Sequence, residues 1–274
     1  MKDHSDPAGV LRPGHMAVLA TAVEHGRLTP LDLALLAVYS GRGDSENREM
    51  IAFVLGVMEW LTAAGKKPLF LMDRGFDRVE ILRELLAAEC PFAVRSRGDR
   101  HVVLADGEVV RISELAERLS EGAEGACRIR GFRVCLPDLE EYECLCVVAL
   151  LPGRAPLYLL VSPAARGRGR TPEWWVNRYT KRWAAEQLNR GLKQLFDLEK
   201  FLVRTWMAIL RLIWLCAMVL FWISWFASEH KAVVMSELRR KGYVSKEPEW
   251  LFYAFCQWIL RDDPPSAGYM PGGP

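Results

Sequence analysis

The sequence lacks several features that would assign it to a familiar class. Its first thirty residues contain no apolar core like that of a secretory signal peptide, so none is predicted. It has no Cys-x-x-Cys pair and no cysteine–histidine cluster at zinc-ligand spacing, which argues against a structural zinc site. It also has no internal repeat, which argues against a repeat architecture.

Excess positive charge is also missing. The formal net charge is only +2 over 274 residues, so any surface for nucleic acid must come from local clustering of cations. The apolar fraction of 51% supports a substantial core, and the length suits one large domain or two small ones. Seven cysteines without a pairing pattern indicate buried free thiols in a reducing compartment, which predicts a cytoplasmic protein.

The first part of the chain predicts a hairpin and a helix. Two apolar runs, 15–23 and 31–39, flank the turn-like residues 24–27 and are typical of paired strands. Asp44 or Ser45 is then expected to cap a helix that continues to about residue 64.

The next segment predicts an α/β unit. The apolar run 68–72 indicates a buried strand, and a helix over 78–88 and a strand over 92–96 follow it. Asp73 therefore stands where a strand leaves the sheet, which is the usual place for chemistry in open α/β sheets. The alternative is that Asp73 only caps the next helix or forms a turn.

Residues 97–163 predict a mostly β segment that is rich in arginine. Strands are expected over 101–105, 127–136, 142–151 and 156–162. A short helix is expected over 112–119. The arginines are Arg95, Arg97, Arg100, Arg128, Arg130 and Arg133. A solvated strand face explains most of them, and contact with DNA is the alternative for each one. Further on, Arg166, Arg168 and Arg170 alternate with glycines, which suits a phosphate backbone or an ordinary exposed loop.

The most distinctive stretch is 179–193, YTKRWAAEQLNRGLK, which predicts a helix because it lacks proline and mostly favours helix. At roughly 100° per residue, Tyr179, Arg182, Glu186 and Lys193 fall within an arc of about 60°. This face is either a functional site or a solvated surface with helix ion pairs.

Residues 206–227 form a run of about 20 apolar residues, long enough to span a bilayer. A buried core helix is favoured, because the run continues from a charged helix and nothing before it is membrane-like. One more helix is expected near 247–260, followed by a Gly/Pro-rich tail.

The spacing Tyr-x2-Arg-x3-Glu-x6-Lys resembles the signature of bacterial DDE transposases of the insertion-sequence-four family. The segment Asp73-Arg74-Gly75-Phe76 resembles the motif around that family's second catalytic Asp. The resemblance implies a ribonuclease-H-like α/β fold: a mixed sheet with helices on both faces and a β-rich insertion before the helix of the catalytic Glu.

The resemblance also implies the catalytic acids. Asp73 and Glu186 match the second and third acids. Asp3 is assigned as the first, with Asp6 as the fallback, because Asp3-His4-Ser5-Asp6 resembles the family's Asp-x-Ser/Thr ending. Together the three acids would hold two Mg²⁺ ions, for which Mn²⁺ substitutes.

The remaining signature residues, Tyr179, Arg182 and Lys193, would hold phosphates at the transposon end. The implied activity is cut-and-paste transposition of double-stranded DNA. The protein is expected to act as a homodimer on DNA and not to bind a membrane. An inactive remnant, a membrane protein and a stand-alone metal nuclease are the alternatives.

Only two residues precede Asp3, so the chain is expected to be an N-terminally truncated member of the family. The expected division has four parts: a first core part over 1–96, the insertion over 97–163, the Glu helix and apolar helix over 164–235, and a C-terminal helix with a disordered tail over 236–274.

Overall fold

The computed structural model describes residues 17–24, 27–36, 45–120, 127–167, 169–183, 185–186, 189, 192–193, 196, 205–245 and 251–260. Residues 36–182 form one compact unit, which we call the sheet unit. Residues 1–35 and 183–274 form the other, which we call the terminal unit.

The predicted N-terminal hairpin is confirmed. Strands β1 (Ala17–Glu24) and β2 (Arg27–Leu35) pair antiparallel, and the last rung joins Glu24 to Arg27. The second strand therefore begins four residues earlier than predicted, because pairing continues through its polar start. A register shift beside Ala20 brings Thr21 opposite Pro30, which has no backbone N–H for the ladder.

The described residues of the sheet unit include the α-helices α1 (Glu46–Ala63), α2 (Val79–Ala87), α3 (Ile112–Ser120) and α4 (Pro172–Thr180). The first three match predicted helices closely. Ser45 is the N-cap residue of α1, but its side chain makes no capping hydrogen bond. Asp44, the alternative cap, lies outside the described residues.

Among the described residues of this unit, seven strands form one sheet: β3 (Phe70–Met72), β4 (Phe92–Arg95), β5 (His101–Leu104), β6 (Val109–Arg111), β7 (Arg128–Leu136), β8 (Leu139–Leu150) and β9 (Leu157–Val161). Their order is β3-β4-β9-β8-β7-β5-β6. The pair β3–β4 is parallel and the other pairs are antiparallel. This mixed sheet with flanking helices is consistent with the expected ribonuclease-H-like transposase fold.

The arginine-rich segment 97–163 is as rich in strands as predicted. Its strands do not form a sheet of their own, because β9 pairs directly with β4. The boundaries between the compact units fall near residues 35 and 182.

Helix α4 packs on the sheet through one face. Trp175, Val176 and Tyr179 are buried there together with Val147 and Leu159 of the sheet. Trp175 has no exposed surface, and burial of a large apolar side chain contributes about 2–3 kcal/mol. This packing determines which residues of α4 point towards the sheet and which point away.

The described part of the terminal unit includes the helices α5 (Trp206–Glu229), α6 (Lys231–Arg240) and α7 (Leu251–Leu260). Helix α6 was not predicted, because its ten residues bury only a short apolar stripe around Val234 and Leu238. The helix expected near residue 247 is described only from Leu251 onwards.

Helix α5 corrects the expectation of a buried core helix. One face is buried around Ala217 and Leu220, whereas Leu215 and Trp222 are 63% and 57% exposed. Within the described part of the chain, α5 alone is long and apolar enough to cross a membrane by length and composition.

The expected free thiols are present, since all seven cysteines are unpaired. Five are buried, Cys135 is half-buried and Cys127 is exposed. Burial raises the pKa of Cys144 and Cys146 to about 12, so these thiols stay protonated near neutral pH.

Candidate active site

Asp73 stands directly after strand β3, as predicted, but among the described residues β3 is an edge strand in which only Met72 is fully buried. It is the N-cap of a short 3-10 turn, Arg74–Phe76, and its Oδ1 accepts a hydrogen bond from the Gly75 N–H at 2.8 Å. The capping alternative is therefore a real contact. This contact does not conflict with a catalytic role, because the Asp73 side chain is exposed and the hydrogen bond occupies only one of its two oxygens, Oδ1.

Gly75 permits this close approach of backbone and carboxylate. A Cβ at position 75 would lie 3.0 Å from Asp73 Oδ1, at the limit of what real side chains tolerate. A larger residue would therefore push the carboxylate away from the backbone N–H and change where it points.

The turn after Asp73 is held at its far end by Asp77, which sequence reasoning missed. Asp77 is 2% exposed, and its Oδ1 lies 2.6 Å from Arg100 Nε as an ion pair with poor hydrogen-bond angles. Its Oδ2 accepts hydrogen bonds from Ser96 Oγ and the Arg97 N–H, both at 3.0 Å. Arg100 Nη2 also donates to the Asp77 carbonyl at 2.7 Å.

Tyr179 of the signature is buried beneath the same strand end. Its hydroxyl donates to the Met72 carbonyl at 3.1 Å, and Met72 is the residue before Asp73. Burial raises the pKa of Tyr179 to about 12. The Asp73 carboxylate also raises this pKa, whereas Arg182 and Arg95 lower it. The phenol is therefore protonated at neutral pH and is engaged by the backbone.

Two arginines lie around this tyrosine. The Arg182 guanidinium carbon is 5.3 Å from the centre of the Tyr179 ring. Arg95 ends β4, and its neighbour Val94 pairs with Met72, so Arg95 and Asp73 are at the same level of two adjacent strands. An acid that suits a cation and guanidinium groups that suit a phosphate are thus close together.

The predicted continuous helix over 179–193 is wrong in one respect. Helix α4 ends at Thr180, residues 181–182 form a turn, and helical residues resume at Trp183. The Thr180 hydroxyl donates to the Asn177 carbonyl at 2.8 Å, a back-bond that bends helices. The N–H of Arg182 bonds the carbonyl of Tyr179, three residues back, which tightens the last turn.

Glu186 and Lys193 are both helical and belong to the terminal unit, where Glu186 is half-buried and Lys193 is exposed. Asp3 and Asp6 lie outside the described residues. The structure therefore brings Asp73, Tyr179 and Arg182 together, and the convergence of Asp73 with Glu186 stays a prediction. Among described residues, no three His, Cys, Asp or Glu side chains form a metal-binding group.

Several of the other predicted arginines have partners within the protein. Arg166 Nη1 pairs with Glu143 at 2.7 Å, and Arg128 Nη1 donates to the Leu119 carbonyl at 2.5 Å. Arg130 lies over the Phe132 ring at 5.2 Å. Arg168 falls outside the described residues.

Comparison with known proteins identifies the family. A family model described as the transposase DDE domain matches residues 19–222, well over half of the chain. The match includes Asp73 and the whole Tyr-Arg-Glu-Lys signature. A comparison with curated proteins gave no match. The chain belongs to the transposase DDE domain family.

Proposed function

We propose that this chain acts as the catalytic domain of a DNA transposase of the insertion-sequence-four type. It would hydrolyse the phosphodiester bond at a transposon end and join the freed 3′ hydroxyl to target DNA. The observation that carries the proposal is the position of Asp73, exposed at the end of an edge strand that pairs parallel with β4, in a chain of the transposase DDE domain family.

The donor chemistry of Asp73 fits a hard divalent cation such as Mg²⁺, or Mn²⁺ in its place. Its carboxylate is exposed, and the Gly75 N–H orients it through one oxygen. Glu186 and Asp3, or Asp6 in place of Asp3, are the proposed further ligands. When bound, two such ions activate the attacking oxygen and stabilise the leaving one.

The cationic groups near Asp73 would hold the DNA. Arg182 offers a planar guanidinium beside Tyr179, which suits a phosphate. Lys193, exposed in the terminal unit, is the second proposed phosphate contact. Tyr179 was predicted to hold phosphate as well. Because its hydroxyl donates to the Met72 carbonyl, we propose that it mainly holds the strand end that carries Asp73.

The proposed partner is double-stranded DNA, both the transposon end and the target, bound by a homodimer in the cytoplasm. The low net charge agrees with binding through local clusters rather than a generally cationic surface.

The test is a strand-transfer assay with the full chain, Mg²⁺ or Mn²⁺, and linear DNA that ends in the sequence flanking the coding region. Glu186→Gln and Asp73→Asn should abolish both cleavage and joining, because each removes a carboxylate ligand. Both variants should still bind the same DNA in an electrophoretic shift assay.

Loss of binding in parallel with loss of joining would contradict the assigned roles. DNA binding without cleavage or joining by the wild type would instead identify the inactive remnant. Cleavage scattered along the DNA, rather than at its terminal sequence, would favour a stand-alone nuclease.

A further inference from the structure

One side of α4, next to its buried face, carries two cations and a half-buried tryptophan. At about 100° per residue, Trp174, Arg178 and Lys181 fall within an arc of about 60°, whose centre lies about 90° from the buried Trp175 and about 130° from the buried Tyr179. Lys181 is exposed, whereas Trp174 and Arg178 are half-buried. The ring of Trp174 packs against the core cluster under α4, and the two cations flank it on the helix surface.

Arg170, just before the helix, joins the same surface. Its guanidinium carbon lies 4.9 Å from the centre of the Trp174 ring, and that of Arg178 lies 5.6 Å from the same ring. Arg170 Nη1 also donates to the Ala165 carbonyl. The Trp174 ring and the Ala165 carbonyl thus hold the guanidinium groups of Arg170 and Arg178 in defined positions. Binding an anion there would cost less side-chain entropy than binding it with two freely rotating arginines.

Acidic partners are missing from this surface in the described part of the chain. No described carboxylate lies within 4 Å of Arg170, Arg178 or Lys181, in contrast to Arg166, which pairs with Glu143. The nearby Glu173 has a lowered pKa because of its hydrogen bond to Thr171 at the helix start. Two like charges on one ring repel each other, and an anion bound between them would relieve that repulsion.

We propose that Arg170, Trp174, Arg178 and Lys181 form a binding surface for the phosphate backbone of duplex DNA. We call this set the α4 stripe. The proposal rests on the proposed function and extends the DNA contact upstream of the signature residues Tyr179 and Arg182. Trp174 acts by orienting the guanidinium groups, because its half-buried ring is already covered by two cations.

The dimensions suit this partner. The nine residues of α4 extend over about 13 Å, and one DNA strand carries a phosphate about every 3.4 Å along the helix axis. The α4 stripe is therefore long enough to follow several consecutive phosphates. Its contacts would be independent of base sequence, because the phosphate groups are the same at every base pair.

The experiment measures how salt weakens the binding of a duplex of about 30 base pairs to the full chain. The double variant Arg170→Gln/Arg178→Gln should lower the slope of log affinity against log salt by about 1.8, because each phosphate contact contributes about 0.9. Between about 50 and 200 mM salt, its affinity should then fall about 12-fold less than that of the wild type.

The matched control is Arg83→Gln/Arg111→Gln, which removes two exposed arginines from the same unit. Both double variants lose the same net charge, so a specific effect must separate them. Equal slopes for the two double variants would overturn the α4 stripe and leave the proposed function intact. A wild-type chain that binds no DNA would overturn both.

A second measurement, on the wild-type chain, covers the case in which the double variant does not fold. Phenylglyoxal modifies accessible arginines, and mass spectrometry of peptides locates the modification. Bound duplex DNA should slow the modification of Arg170 and Arg178 but not of Arg83 and Arg111. Equal rates with and without DNA at Arg170 and Arg178 would contradict the proposal.

Discussion

The two compact units differ in how deeply they bury tryptophan side chains. In the sheet unit, Trp175 of α4 has no exposed surface because the sheet covers it. In the terminal unit, Trp222 of the far more apolar α5 is 57% exposed. The apolar content of a helix therefore does not decide how deeply its tryptophans are buried. The number of sides on which other elements pack decides it.

Charged pairs show the same difference. In the sheet unit, the pair Asp77–Arg100 has side-chain exposures of 0% and 13%. In the terminal unit, the pair Glu237–Arg240 is 35% and 63% exposed on α6. The first pair links residues 23 positions apart and fixes the turn after Asp73, whereas the second joins neighbouring turns of one helix.

The largest expected effect tests the two tryptophans. Trp175→Ala should lower the free energy of unfolding of the sheet unit by about 3–5 kcal/mol, because it leaves a cavity beneath α4. Trp222→Ala should change the stability of the terminal unit by about 0.5 kcal/mol or less. Urea unfolding, followed separately for each unit, measures both. Similar losses would show that Trp222 is covered in solution.

The second effect tests the charged pairs. Asp77→Ala should destabilise the sheet unit by about 3–5 kcal/mol, because it leaves Arg100 charged and poorly solvated. Glu237→Ala should leave the midpoint of thermal unfolding essentially unchanged. The double variant Asp77→Ala/Arg100→Met should recover part of the loss. If it does not, the ion pair is not what destabilises the single variant.

The smallest effect concerns Tyr179. Tyr179→Phe removes the hydrogen bond to the Met72 carbonyl and should cost about 1 kcal/mol. Because burial raises the pKa of Tyr179 from 10.0 to about 12, the folded state holds this proton more tightly than the unfolded state. Its contribution is thus complete below pH 10 and is lost as the pH rises towards 12.

The measurement for Tyr179 is the difference in unfolding free energy between wild type and Tyr179→Phe across that pH range. Buried cysteines such as Cys146, whose pKa is also raised to about 12, titrate in both proteins and cancel in the difference. A difference that does not change with pH would mean that the Tyr179 hydroxyl is solvated.

Local patterns predicted most of the elements. Alternating and continuous apolar runs located the hairpin, the helices α1 to α3 and most strands of the sheet, because burial on one or two faces imposes those periods. The continuous helix over 179–193 was wrong, since helix propensity does not register the turn at residues 181–182. Helix α6 was missed because its apolar stripe is short.

For the candidate site, the sequence by itself determined the acid after a strand, Asp73, and the spacing that places this chain among the DDE transposases. Both are local patterns, so they can be recognised from the sequence without knowledge of the fold. Only the tertiary structure decided the partners: Tyr179 with Met72, 107 residues apart, and Asp77 with Arg100. Such pairs depend on strand order and helix packing, which no local period of residues specifies.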